Sequence, residues 1–323
     1  MGIHDSILDS IGNTPLVRLN RVIDGLDAEI LVKVEYLNPS GSIKDRIAVR
    51  MINEAEREGR LKPGYTIVEA TTGNTGASLC FVGAAKGYKL RMFCPKLTAS
   101  PERVQIMRMF GAEIEVVDTE ELLQMTEMKD SSAHGVVIEV IPRQKCLELE
   151  QSDPTVWWAR QFSNPYNVIA HREGTGQEIL QDTGGHLDAF IASVGTGGTL
   201  LGVAQALKAA KPEIQIHAVE PAAVPHLKSG LKDIPIIPGI NDGILLDIVR
   251  EQITDSIISV TDQEAINMAH RMAKQEGLFC GMSSGANVLA AIQVAKEIGR
   301  GARVVTVLPD NRYRYTSLEK YTT

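Results

Sequence analysis

The sequence is poor in cysteine, in aromatic residues and in long apolar runs, and it carries no excess of positive charge. Its four cysteines, Cys80, Cys94, Cys146 and Cys280, are widely spaced. Without paired spacing they form no zinc or redox motif and read as reduced core thiols of a cytoplasmic protein, so no metal is expected. No apolar run approaches the roughly 20 residues of a membrane span, and no basic region followed by an apolar stretch opens the chain, so neither a membrane nor secretion is expected. Lys and Arg number 33 against 40 Asp and Glu, a net charge of -7. That balance argues against a large nucleic-acid surface. The start Met1-Gly2-Ile3-His4-Asp5-Ser6 fits a loose myristoylation pattern with an acid inside it, and chance accounts for a match that short.

What remains is a chain of 323 residues, 44% apolar and 23% charged, long enough for two lobes with full cores. Strand-like runs alternate with helical patterns: Thr66–Ala70 then Ala77–Ala85, and Lys89–Phe93 then Pro101–Phe110. The alternation resumes with Ala189–Val194, a helix from about Leu200, and Ile214–Val219. Thr261-Asp262-Gln263-Glu264 has capping-box spacing, and helix Ala286–Ile298 with strand Val304–Leu308 closes the pattern. This is the signature of an α/β fold with mostly parallel sheets flanked by helices. The stretch from Glu120 to Asp153 reads as polar and irregular, with a lobe boundary at its end.

Lys44 stands where a strand (Ile30–Val34), a turn (Asn38-Pro39-Ser40-Gly41) and a helix meet, and Ile47, Met51, Ile52 and Ala55 share one helical face after it. Alone it would read as a surface lysine. A lysine amine held and partly desolvated at a fixed point is instead a nucleophile or Schiff-base former.

Three loops between a strand and a helix accompany it. Thr71-Thr72-Gly73-Asn74-Thr75-Gly76 offers amides and hydroxyls to an anion such as a carboxylate. Ser193-Val194-Gly195-Thr196-Gly197-Gly198-Thr199 can cradle a phosphate. Its rival reading is a dinucleotide site with Glu220 as the ribose acid, which would make an NAD-dependent dehydrogenase, although GTGGTLLG lacks GxGxxG spacing and leaves Lys44 idle. The third loop, Cys280-Gly281-Met282-Ser283-Ser284-Gly285-Ala286-Asn287, reads alone as a helix cap.

In order, IGNTPLVRL, NPSGSIKDRIA, TTGNTG, Gln161-Phe162-Ser163-Asn164-Pro165, SVGTGGT, Val219-Glu220-Pro221 and SSGAN span nearly the whole chain. Together they resemble pyridoxal-phosphate enzymes of the tryptophan-synthase-β type (fold type II), within them the cysteine synthase (O-acetylserine sulfhydrylase) and cystathionine β-synthase family. The resemblance implies a two-domain fold, with 46–153 a smaller mobile substrate lobe and 1–45 plus 154–323 a larger cofactor-binding lobe. By it Lys44 forms the Schiff base with pyridoxal 5'-phosphate and moves the α-proton. Gly195, Thr196, Gly197, Gly198 and Thr199 hold the phosphate, Asn74 meets the ring hydroxyl, and Ser283 meets the pyridine nitrogen. Thr71, Thr72, Gly73, Thr75 and Gln161 hold the substrate carboxylate. A neutral serine at the ring nitrogen makes a weaker electron sink than an aspartate, which suits loss of a β-leaving group.

The implied reaction is β-replacement through an aminoacrylate, with O-acetylserine and sulfide giving L-cysteine in a cytoplasmic homodimer, and the resemblance implies serine acetyltransferase as a partner. Three departures keep an alternative open. Asn241 and Asp242 replace the usual small residues in Pro238-Gly239-Ile240-Asn241-Asp242-Gly243-Ile244, the ending Leu308–Tyr315 resembles cystathionine β-synthase, and the 120–153 stretch is long. Asp242 could repel hydrosulfide or act as a base for an uncharged nucleophile, so a cystathionine β-synthase-like or sulfide-releasing reaction on serine or cysteine is the second expectation. A catalytically silent regulatory partner is the third.

Overall fold

The computed structural model describes residues 3–23, 25–71, 73–96, 99–118, 134–223, 227–228 and 244–317. Its strands are β1 (Leu16–Arg18), β2 (Ala28–Lys33), β3 (Thr66–Ala70), β4 (Lys89–Pro95), β5 (Glu113–Val117), β6 (Val156–Trp158), β7 (Ala189–Ser193), β8 (Gln215–Pro221), β9 (Ser256–Val260) and β10 (Ala302–Val307). The helices are α1 (Lys44–Arg57), α2 (Asn74–Lys86), α3 (Pro101–Met109), α4 (His134–Ser152), α5 (Pro165–Ala170), α6 (Gly176–Thr183), α7 (Gly198–Ala210), α8 (Ile244–Arg250), α9 (Asp262–Arg271) and α10 (Met282–Ile298).

The strands form two sheets, one ordered β1-β2-β10-β7-β8-β9 and the other β5-β4-β3-β6. All pairs are parallel except β1 with β2. Alternate residues of a strand face opposite sides, and both sheets are covered on both. In the larger sheet Ile30, Val32, Ala189, Ile191 and Val304 join α9 and α10 in one core, while Phe190, Ala192, Ile216, Val305 and Val307 join α7 in another. In the smaller, Ile67, Met92 and Trp157 pack on α1 and α2, while Val68, Phe93 and Trp158 pack on α4. The expected boundary at 153 falls between α4 and β6, and β6 still belongs to the smaller sheet.

Helix α1 buries Ile47, Met51, Ile52 and Ala55, the face its sequence spacing predicts. Thr261 and Glu264 make both bonds of the capping box that starts α9. The polar stretch read as irregular differs: its second half is helix α4, continuous through Pro142. Cys146 is buried there and Ile141, Leu147 and Leu149 pack against the smaller sheet, so tertiary burial overrides the proline's local signal. All four cysteines are free and buried. Burial raises each thiol, Cys94 to about 11 and Cys280 to about 12. Such thiols are inert.

Candidate active site

Lys44 is the first residue of α1, and its amide donates to Ser42 Oγ at 3.1 Å. The side chain opens on a cleft of about 330 Å3 also lined by Asn74, Gly195, Thr196, Gly197, Thr199, Glu220, Ser283, Asp310 and Tyr315. One wall therefore comes from each of the three loops. Protein around the amine desolvates its charged form and brings the pKa down to about 8, while the charge of Asp310 pulls the other way.

The glycine loop runs from the end of β7 into α7. Asn287 secures it, accepting from Ser193 N at 2.7 Å and donating to Val307 O at 2.9 Å. Val194 N and Leu201 N are bonded, but among the described residues no acceptor meets the amides from Gly195 to Leu200. A run of unbonded amides at a helix start is an anion cradle. A Cβ built on Gly195 meets nothing within 4 Å, so that backbone faces open space.

The loop that opens α2 lies beside the cleft. Thr71 Oγ1 accepts from Gly73 N at 3.0 Å and Gly76 N at 3.1 Å, which closes the turn. Thr75 Oγ1 donates to Gln161 Oε1 at 2.5 Å, and Gln161 Nε2 donates to Ala70 O at 3.0 Å. Thr71, Gly73, Thr75 and Gln161 are thus brought together, while Asn74 reaches into the cleft itself. Thr72 and Asp242 lie outside the described residues.

Several residues given no role from sequence support this arrangement. Glu69, buried before the loop, accepts from Ala70 N (2.8 Å), Trp158 Nε1 (2.9 Å) and Gln161 N (2.9 Å). Its burial pushes the carboxyl up to about 7 against those bonds. Asn74 donates to Asp310, which also takes the Tyr315 hydroxyl. Arg46, two residues past Lys44, is buried with Glu35 at 2.7 Å and Glu178 at 2.6 Å. A motif that contains Asp310 or Asn287 carries no sign of these partners, which are distant in sequence.

The donor set fits pyridoxal phosphate: unbonded amides for a phosphate, a neutralisable amine for an aldehyde, and the Ser283 side chain, whose hydroxyl has no hydrogen-bond partner among the described residues, at the same cleft. Glu220, the acid of the dinucleotide reading, accepts from Leu227 N at 2.8 Å. Among the described residues no helix is long and apolar enough to cross a membrane, and no cluster of three metal-binding side chains occurs.

Comparison with known proteins agrees. A cysteine synthase of Staphylococcus aureus (strain Mu50) is 45% identical over 318 residues, 98% of this chain and 97% of its own. The crystal structure of the cysteine synthase of Entamoeba histolytica superposes with a TM-score of 0.84 at 36% identity, covering 100% of this chain and 92% of that one. That of a hydrogen sulfide-producing enzyme of Fusobacterium nucleatum gives 0.83 at 36%, covering 97% and 100%. The model of the family described as "Pyridoxal-phosphate dependent enzyme" matches residues 7–310, which sets the dehydrogenase reading aside. By fold, cleft and sequence, the chain belongs to the pyridoxal-phosphate dependent enzymes, in their cysteine synthase-like branch.

Proposed function

We propose that the protein catalyses β-replacement on an amino acid, with O-acetylserine and sulfide giving L-cysteine and acetate. The observation that carries this reading is the Lys44 amine, desolvated to a pKa of about 8, opening on the same cleft as the neutral hydroxyl of Ser283. When bound, pyridoxal phosphate supplies an electron sink at the substrate's α-carbon. Gly195, Thr196, Gly197, Gly198 and Thr199 would hold its phosphate, Asn74 and Ser283 would hold its ring, and Lys44 would bind it covalently. Thr71, Thr72, Gly73, Thr75 and Gln161 hold the substrate carboxylate. Lys44 Nζ takes the α-proton, the β-carbon–oxygen bond breaks and acetate leaves, sulfide forms the new carbon–sulfur bond, and Lys44 returns a proton to the α-carbon.

In this reading residues 46–153 close over the substrate as a smaller lobe, which the seating of Thr71, Gly73 and Thr75 at the end of β3 supports. A cytoplasmic homodimer and a complex with serine acetyltransferase rest on the family resemblance. The test is product analysis: O-acetylserine with sulfide should yield cysteine, and absence of turnover with every β-activated serine would refute the reading.

A second reading, release of sulfide from cysteine or replacement by homocysteine, is favoured by Asp242 and by the likeness to a sulfide-producing enzyme. Asp242 would then act as base toward water or a thiol. Asp242→Asn should lower turnover with those acceptors at least tenfold and spare sulfide as acceptor; unchanged acceptor preference removes Asp242 from the mechanism.

A further inference from the structure

The glycine loop is braced from behind by a segment that the functional reading leaves idle. Helix α5 widens into a π-helical turn, His171–Thr175, before continuing as α6, and such single wide turns concentrate at functional sites. Asn167 and His171, fully buried and one turn apart, both reach the loop. Asn167 Nδ2 donates to Thr196 Oγ1 at 3.1 Å and to Gln161 O at 2.7 Å. His171 Nε2 lies 3.2 Å from Thr199 Oγ1, and its Nδ1 lies 3.0 Å from Thr175 Oγ1. The approach depends on Gly202 in α7, because a Cβ there would sit 2.8 Å from His171 Cβ and 2.9 Å from Arg172 N.

We propose that His171 is a positioning residue for the cofactor phosphate: its Nε2–H donates to Thr199 Oγ1 and so turns that hydroxyl's own proton toward the bound anion. The argument is one of proton direction. Burial keeps the imidazole neutral, and the charges of Lys44 and Arg46 act the same way. A neutral ring has one donor and one acceptor nitrogen. His171 is the sole partner of Thr175 Oγ1 among the described residues. If Thr175 donates to Nδ1, the ring proton sits on Nε2, Thr199 Oγ1 accepts it, and the Thr199 proton is left for the anion. The reverse order would present hydroxyl lone pairs to a phosphate, which repels. The relay Thr175 to His171 to Thr199 runs in one direction and strengthens cooperatively.

The proposal rests on Gly195–Thr199 being the phosphate loop, so the test compares pyridoxal phosphate with pyridoxal, which lacks the phosphate. Dissociation constants of both are measured for apoprotein carrying Thr199→Val, His171→Leu, His171→Gln or Thr175→Val, with the 31P resonance of the bound cofactor as second readout. His171→Leu should weaken pyridoxal phosphate about tenfold, leave pyridoxal within about twofold and move the 31P resonance. His171→Gln, which restores an N–H near the Nε2 position, should recover most of the affinity. Equal losses for the two ligands, or unchanged affinity and resonance, overturn the role of His171. Should His171→Leu fail to fold, Thr175→Val decides: about threefold weaker pyridoxal phosphate is expected, and no change overturns the relay. If Thr199→Val fails to discriminate the two ligands, the loop assignment falls and the proposal with it; if it discriminates while the His171 variants are silent, the His171 role alone falls.

Discussion

Asn74 gives its side-chain amide to Asp310, Nδ2 to Oδ2, at 2.6 Å. From the other side Arg314 Nη1 donates to Asn74 Oδ1 at 3.1 Å. An arginine can only donate and a carboxylate can only accept, so these partners fix which end of the amide faces which way. Arg314, buried, also donates to the Ser40 carbonyl in the turn that precedes Lys44. The chain's Asp310–Tyr315 segment thus links the start of α2 to the lysine turn.

Asp310→Ala should release both Asn74 and Tyr315. Two charge-assisted hydrogen bonds are lost, so a destabilisation of about 2 kcal/mol is expected in urea unfolding. The visible band of the bound cofactor should also shift, because the Asn74 amide is no longer oriented. A variant with an unaltered band and unaltered stability would show that Asn74 needs no such support.

Lys44 makes a pH prediction for the apoprotein. Its amine has a pKa of about 8 against an ordinary 10.5, so at pH 7 about a tenth is neutral, where an ordinary lysine has about one in three thousand. Only the neutral amine attacks an aldehyde, so covalent uptake of pyridoxal phosphate should quicken up to about pH 8 and then level off. The linked stability has a definite sign. Between about 8 and 10.5 the unfolded chain holds more protons, so apoprotein stability rises with pH across that window and about 3 kcal/mol is lost as pH falls through 8. Uptake that kept accelerating to pH 10 would mean a solvated amine, and Lys44→Ala should remove both effects together with any borohydride-reducible adduct.

What was legible in the sequence was local. Ile47, Met51, Ile52 and Ala55 declare the buried face of α1 by spacing alone, and Thr261 declares its capping box. The glycine loop and Lys44 are legible because a strand, a tight turn and a helix start follow one another within a few residues. The supports were not legible, since Trp158 meets Glu69 across 89 positions and Arg314 meets Asn74 across 240. His171 gave no sign either: nothing in a sequence marks where a helix widens, and the contact to Thr199 exists only because Gly202 lets two helices close.

The ion pairs divide into two kinds with different expected effects. Arg46 and Glu35 are 5% and 0% exposed, whereas Arg57 beside Glu54 is 67% exposed. Glu35→Gln removes a charge from a desolvated cluster and leaves the Arg46 guanidinium undercompensated, so it should cost about 3 kcal/mol. Arg57→Ala, whose pair is screened by water, should leave stability nearly unchanged. Chemical denaturation of the two variants side by side checks this, and equal costs would contradict the burial argument.

Glu69 tests the support of the loop between β3 and α2. Burial raises its carboxyl to about 7 although Trp158, Gln161 and Ala70 all donate to it. A folded pKa above the ordinary 4.5 means that the folded state prefers the protonated acid. Its contribution to stability is therefore complete below about 4.5 and is lost as pH rises through about 7, to a total of about 3 kcal/mol. Glu69→Gln does not titrate, so the difference in melting temperature between wild type and variant should change between pH 5.5 and 8.5, with the wild type losing ground as pH rises. The variant turns an NH2 toward one of three N–H donors, which should displace Gln161 and raise the KM for the amino-acid substrate about tenfold while kcat moves less. A melting difference that stays constant over this range would show that the Glu69 carboxyl titrates as a solvated acid.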